Sequence, residues 1–210
     1  MIVFYTLLDT DREAALASLP IETLPSGYRE RVARMQSTSA RAHTCAGLQL
    51  LARGLEHGGL DPTLIQRIGK DADGRPAIDG GPSFSISHSQ SLVACALSDS
   101  QLVGLDIEQR RSNISPRLAQ RIQRGQGPDS DLDFFDAWCA REAVVKASGR
   151  VGLARIQAVG LGSAAHVAQL DDQDWMLARL HLAPDYAGCI ASNQPIHAVE
   201  VVQISLDPAQ

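Results

Sequence analysis

The stretch "FFDAWCAREAVVKA", Phe134–Ala147, reads as a helix, and the placing of its charges decides how the rest of the chain is read. At 100° per residue from Glu142, Phe134 falls at about −80°, Val145 at −60°, Trp138 at −40°, Phe135 at +20° and Cys139 at +60°. Glu142 is therefore central to an apolar sector, and Lys146, at about +40°, lies inside it. A Glu–Lys pair on a solvated helix face contributes only about 0.2–0.5 kcal/mol and predicts polar surroundings. The apolar surroundings point instead to a site where a carboxylate and an ammonium meet a ligand.

Two further segments supply partners for that helix. In "VGLDIE", Val103–Glu108, strand alternation puts Val103, Leu105 and Ile107 on one face and Gly104, Asp106 and Glu108 on the other. Two carboxylates that close repel, and burying them requires a cation. Oxygen donors of this kind suit a hard divalent ion, Mg²⁺ or Mn²⁺. A solvated strand end is the ordinary reading of a bare D-x-E; Glu142 shifts the balance, because a cation held jointly with Asp106 and Glu108 explains its apolar setting. In "PSFSISHS", Phe84, Ile86 and His88 alternate with Ser85, Ser87 and Ser89, so an imidazole flanked by hydroxyls is available to phosphate oxygens.

Composition limits the alternatives. The chain has 210 residues, 44% of them hydrophobic, and a formal net charge of −5, which argues against a dedicated nucleic-acid binder. It has no run of about 18 apolar residues, so no membrane span is expected, and "MIVFYTLLDTDRE" reads as a first strand rather than a signal peptide. Four dispersed cysteines without a CxxC pair fit reduced thiols and a cytoplasmic location. Only Lys70 and Lys146 among the 19 basic residues are lysines; Lys70, in a loop, is assigned no role.

The periodicity predicts helices in "DTDREAALASL", "SGYRERVARM", "SARAHTCAGLQLLARGLEHGG" and "NISPRLAQRIQRG", the last with Ser115 as N-cap and Pro116 at the first helical position. "SFSIS", "LVACALS" and "LVGLDIE" read as an antiparallel meander. "ARIQAVGL", "WMLARLHL", "YAGCIAS" and "IHAVEVVQI" read as further strands. The expected fold class is α+β: two halves, each a small antiparallel sheet with packed helices, dividing into 1–101 and 102–210.

The order of these pieces resembles the 4′-phosphopantetheinyl transferases, in their longer single-chain, pseudo-dimeric form. The resemblance rests on "GRP" at Gly74–Pro76, "FSISHS" at Phe84–Ser89, "VGLDIE", and "FFDAWCAREAVVKASGRVGL" at Phe134–Leu153. It implies two similar halves related by a pseudo-twofold, the first on the adenosine and 3′-phosphate side and the second carrying the metal and pyrophosphate site. It also implies transfer of phosphopantetheine from coenzyme A to a serine of an acyl or peptidyl carrier protein, releasing 3′,5′-ADP. Asp106, Glu108 and Glu142 would hold Mg²⁺, with Mn²⁺ an alternative. Lys146 would contact the pyrophosphate, and Glu142 is a candidate base for the carrier serine. Arg75, Ser87 and His88 would meet the adenosine end and its 3′-phosphate, with Arg31, Arg34 and Arg41 as upstream basic positions. Arg141 stands where the family pattern has lysine before the glutamate, and Tyr28 occupies a position often basic in relatives.

The segment from Arg110 to Arg124 carries five arginines without an acid. Arg117, Arg121 and Arg124 share one helix face, which suits docking of an acidic carrier protein to a monomer. Two other readings stay open: a metal-dependent nucleotide pyrophosphohydrolase, whose dense glutamate motif is missing here, and a silent carrier-binding module, which the intact acids and Lys146 oppose.

Overall fold

A computed structural model describes residues 1–123, 132–162 and 166–206. The chain opens with β1 (Ile2–Leu7), α1 (Thr10–Ala17), α2 (Ser26–Ala33) and α3 (Thr38–His57). There follow β2 (Ile68–Lys70), β3 (Pro76–Ile78), β4 (Ser83–Ser89), β5 (Leu92–Ser98) and β6 (Val103–Gln109). The remainder comprises α4 (Pro116–Gln123), α5 (Phe134–Ser148), α6 (Leu153–Ala158), β7 (Gly160–Leu161), β8 (Val167–Leu170), β9 (Gln173–Leu180), β10 (Tyr186–Ser192) and β11 (Glu200–Gln203). The architecture is α+β, as expected. No helix of the described residues is long and apolar enough to cross a membrane.

Helix starts follow local capping chemistry. Side-chain oxygens of Asp9, Ser37 and Asp133 accept from the backbone N–H three residues on, opening α1, α3 and α5. Helix α5 ends at Gly149, whose φ of +91° favours glycine and whose N–H donates to the Val145 carbonyl.

The strands form a four-stranded sheet in the order β11-β1-β5-β4, a five-stranded sheet in the order β6-β10-β9-β8-β7, and the β2-β3 pair. All pairings are antiparallel except β1 with β11. The last strand thus returns to the sheet begun by the first. One face of the first sheet packs on α1 and α3 through Phe4, Val93, Cys95 and Leu97. One face of the second packs on α5 through Ala187, Cys189 and Ala191. The other faces meet in a shared core of Val3, Leu92, Ala94, Leu105, Ile107 and Ile190. Helices therefore lie outside and two sheets inside, which is why β5 and β10 are buried on both faces.

Two expectations are corrected. Strand β6 does not continue a meander from β5; it pairs with β10 in the second sheet. Its other edge faces β4, whose backbone it does not pair. Four serine hydroxyls intervene: Ser83, Ser85, Ser87 and Ser89 accept from the N–H groups of Val103, Leu105, Ile107 and Gln109, at 3.1, 2.9, 3.3 and 3.0 Å. A strand of bulkier residues would have met β6 through its core; a serine at every second position supplies the acceptors that a paired backbone would have supplied. Second, "ARIQAVGL" is helix α6 followed by the two-residue β7, not one strand. Ile156 reaches the core and the helix starts on the Gly152 carbonyl, which short apolar periodicity does not distinguish from a strand.

Ser85 touches none of the carboxylates, so Ser85→Ala isolates this junction. Leaving the buried Leu105 N–H without its acceptor costs about 1–3 kcal/mol. The urea midpoint should fall with an unchanged slope; an unaltered midpoint would remove the serines from the account of how the sheets are joined.

Candidate active site

Gly104 sets how closely α5 approaches β6. A Cβ at Gly104 would lie 2.0 Å from the Ala143 carbonyl oxygen and 2.6 Å from the Ala147 nitrogen, both backbone atoms. With Ala140, Ala143 and Ala147 buried beside it, the helix backbone lies almost on the strand. This brings Glu142 and Lys146 over Asp106 and Glu108, one and two strand alternations beyond Gly104.

The helix is enclosed on more sides than its wheel predicts. Ala137, Cys139, Ala140, Ala143, Val144, Val145 and Ala147 are all buried. Trp138, Glu142 and Lys146, four residues apart, form a half-buried strip. Arg141 is 1% exposed and has no acidic partner among the described residues. Its Nε donates to the Val159 carbonyl and one terminal nitrogen to the Ala137 carbonyl, while the other is buried without a partner. Burial lowers its pKa to about 10. Arg141 thus ties α5 to the end of α6 and points away from the carboxylates' strip.

Lys146 Nζ donates to Asp106 Oδ1 at 2.7 Å and to Ser87 Oγ at 3.1 Å, and lies 3.8 Å from Glu142 Oε2. Ser87 Oγ in turn donates to Asp106 Oδ1 at 2.9 Å and accepts from the Ile107 N–H, so its one donor and two acceptor sites are all used. Ser89 repeats the pattern, donating to Glu108 Oε2 at 2.9 Å while accepting from the Gln109 N–H. The serines that join the sheets therefore also orient the two strand carboxylates.

The electrostatics leave the cluster short of positive charge. Asp106 is 3% exposed, and its Oδ2 is buried without a partner among the described residues. Burial first, and then the Asp106 charge, hold Glu142 up at about 7 against the pull of Lys146. Burial likewise raises Glu108, more than the Ser89 hydrogen bond lowers it. For Lys146 burial opposes the charge, but Asp106 and then Glu142 outweigh it and hold its pKa above the ordinary lysine value. Among the described residues, no three acidic, histidine or cysteine side chains already stand as a metal cage. An orphaned carboxylate oxygen beside two carboxylates raised by burial nevertheless fits a hard cation by donor type and by charge.

A cleft of about 420 Å³ opens outward from Lys146. Tyr28, Arg31, His43, Thr44, Lys70, Arg75 and His88 line it, and among the described residues no aspartate or glutamate does. The Arg31 guanidinium sits 4.6 Å from the centre of the Tyr28 ring. Arg75 is held by Asp71 at 2.7 Å and donates to the Ala147 carbonyl at 2.6 Å, so it also satisfies the C-terminal end of α5. The loop carrying it packs against Gly149, where an added Cβ would stand 2.8 Å from Arg75 Cγ.

The sequence has counterparts among known proteins. No family model matches the chain. It is 31% identical over 156 residues to a protein of Haemophilus influenzae that carries the provisional name 4′-phosphopantetheinyl transferase, covering 64% of this chain and 63% of that protein. It is 26% identical over 189 residues to the 4′-phosphopantetheinyl transferase HetI of Nostoc, covering 81% of this chain and 77% of that protein. A third match, 33% over 90 residues, is the 4′-phosphopantetheinyl transferase gsp of Aneurinibacillus migulanus, covering 39% of this chain and 37% of that protein. All three of these relatives carry the name 4′-phosphopantetheinyl transferase, and the chain is similar to them at modest identity. The chain spans less than two thirds of the length of the Haemophilus relative.

The structure brings together Asp106, Glu108, Glu142 and Lys146, and sets Arg31, Arg75 and His88 in the adjoining cleft. Arg34, Arg41 and Ser87 lie elsewhere. Arg34 pairs with Glu30 on the exposed end of α2, Arg41 donates to the Leu19 carbonyl, and the Ser87 hydroxyl is taken up by the cluster. Sequence reasoning passed over His43, Thr44 and Lys70. For Lys70 the rarity of lysine was a signal; nothing in the helical pattern of α3 marked His43, which is buried like the core residues around it.

Gly104→Ala tests the seating of α5. Overpacking against backbone costs about 1–3 kcal/mol, so its thermal midpoint should fall, while Gly160→Ala, with no atom within 4 Å of the new Cβ, stays near wild type. Equal midpoints for the two variants would show that the helix can move without cost.

Proposed function

We propose that this chain transfers the 4′-phosphopantetheine group from coenzyme A to a serine hydroxyl of an apo acyl or peptidyl carrier protein, with Mg²⁺, releasing 3′,5′-ADP. The observation that carries this reading is the charge arrangement: a cationic cleft free of acids that meets, at Lys146, a buried carboxylate cluster short of one cation. A linear polyanion fits the cleft, and Asp106, Glu108 and Glu142 would hold a divalent ion, which would supply the charge the cluster lacks. Mn²⁺ meets the same donor requirement.

The residues divide the chemistry as follows. The carrier serine oxygen attacks the β-phosphorus of the pyrophosphate. The new phosphoester bond forms as the bond to the bridging oxygen breaks, and that oxygen leaves with 3′,5′-ADP. Lys146 places its ammonium against the phosphate oxygens on which charge accumulates. A divalent ion held by Asp106, Glu108 and Glu142 would add neutralising charge at the same pyrophosphate. Glu142 is the base that takes the serine proton. Ser87 and Ser89 hold the Asp106 and Glu108 carboxylates in fixed orientation. Arg31, Arg75 and His88 serve the adenosine end of the donor. The division into a donor-binding half, 1–101, and a metal-binding half, 102–210, is part of the same proposal. Four buried free cysteines support a reducing, cytoplasmic setting.

For the carrier, we propose docking of an acidic surface along α4. Arg117 is exposed there, while Leu118 and Ile122 face the core. Arg124 and the side chain of Arg121 lie outside the described residues. Arg110 does not contribute its charge freely, because it pairs with Asp133 and Asp136.

Intact mass of apo-carrier proteins incubated with coenzyme A and Mg²⁺ should increase by one phosphopantetheine. Glu142→Gln should abolish the gain while keeping a melting temperature no lower than wild type, because the variant loses the repulsion from Asp106 and Glu108. Mg²⁺ should raise the melting temperature of wild type and not that of the variant. Retained transfer by Glu142→Gln would overturn the roles assigned to this residue. Reversal of Arg117 and Arg121 to glutamate should raise KM for the carrier several-fold and leave KM for coenzyme A unchanged; an unchanged carrier KM removes α4 from docking.

A further inference from the structure

A second cavity, of about 270 Å³, shares Arg75 with the cationic cleft and no other lining residue. It gathers Ser148 from the end of α5, the exposed Arg150 just after it, Arg155 from α6, Asp171 before β9 and Trp175 within it. Trp175 is 2% exposed, and its indole N–H is buried without an acceptor among the described residues. Arg155 Nε is likewise buried without a partner, while its terminal nitrogens hold Asp171 and Ser148. What these residues lack is an acceptor. We propose that the cavity is a second anion site, taking a small oxyanion such as inorganic phosphate, whose occupancy weakens polyanion binding in the cleft through Arg75. The inference goes beyond the transferase reading, which supplies only the identity of the cleft's ligand.

Both orphaned atoms are donors, one on α6 and one on β9, and Arg150 adds donors from a third segment, so the matching group must accept from several directions. A tetrahedral oxyanion does so, and guanidinium groups suit it by charge and by geometry. The lining sets Arg75, Arg150 and Arg155 against Asp73 and Asp171, which leaves one positive charge in surplus among the described residues. The volume lies below the roughly 300–1,000 Å³ of sites for drug-sized molecules, so a single small ion suits it better than a nucleotide. Arg75 is held from three sides. Its Nε donates to Asp71 at 2.7 Å, one terminal nitrogen donates to the Ala147 carbonyl at 2.6 Å, and the other lies 3.7 Å from Asp73. One fixed charge therefore acts in both cavities. An anion in the second cavity offsets part of that charge and lowers the attraction for an anion in the cleft. By linkage, the cleft's ligand weakens the oxyanion by the same factor.

The chain has two tryptophans, so Trp138→Phe leaves a single indole N–H peak in a nitrogen–proton correlation spectrum, that of Trp175. Inorganic phosphate should move this peak downfield along a saturating curve as the N–H gains an acceptor, while sodium chloride at equal ionic strength should leave it in place. A peak that ignores phosphate overturns the site. Calorimetry of coenzyme A binding to wild type, without carrier protein, reads the coupling. Affinity should fall by about 5-fold as phosphate is raised and then level off. A fall that continues in proportion to phosphate is direct competition in the cleft and overturns the coupling. Trp175→Phe and Arg150→Gln change residues that do not line the cleft. Without phosphate both should bind coenzyme A as wild type does, and both should lose most of the 5-fold effect. Arg150 is exposed, so its variant decides the matter should Trp175→Phe not fold. The full effect retained in Arg150→Gln overturns the inference. If coenzyme A does not bind while phosphate still moves the Trp175 peak, the transferase reading falls and the anion site stands.

Discussion

The site depends on how two sheets are joined without sharing a backbone ladder. Strand β6 ends one sheet and β4 ends the other, and the N–H groups on the facing edge of β6 need acceptors inside the protein. Serine at every second position of β4 provides them, in parallel register over four successive pairs. A hydroxyl can accept and donate together, so the oxygen that satisfies a β6 N–H also orients a β6 carboxylate. Junction and site are one hydrogen-bond network, and Ser87 belongs equally to both.

The second constraint is the contact of α5 with Gly104. Removing one Cβ lets a helix backbone approach a strand, and a neighbouring face of alanines lets it stay there. Close approach is what buries Asp106 and raises Glu142, and so creates a cluster that wants a cation. Arg75 and Gly149 extend the same logic to the far end of the helix, where the turn carrying Arg75 caps the last carbonyls and brings the cleft up to Lys146. Packing of small residues, capping of one helix and electrostatic demand at the site are consecutive effects of the same geometry.

Much of the site was legible because it lies on periodic elements. Alternation in "VGLDIE" and "FSISHS" assigned faces correctly, and the wheel of α5 marked Glu142 and Lys146 as anomalous. The end of α3 at His57 and the start of α4 at Pro116 followed from glycine and capping signals. Three readings went differently, each for a physical reason. The meander held for β4 and β5 but not for β6, because strand periodicity says which face is apolar but not which strand is the neighbour. The stretch at Leu153–Ala158 was too short for its apolar spacing to separate helix from strand. The serines of β4 read as ligand contacts because a hydroxyl in an alternating pattern does not say whether its partner is a phosphate or an amide.

By itself the sequence determined the α+β class, the helix termini, the order of four motifs and the identity of the charged groups, because these follow from local periodicity, capping and residue chemistry. Only the tertiary structure decided that β6 leaves its sequence neighbour for β10, that Arg141 spends its charge on a carbonyl, and that His43 stacks on His88. Those outcomes depend on what lies across a core or an interface. A chain position separated by dozens of residues from its partner carries no local trace of that contact.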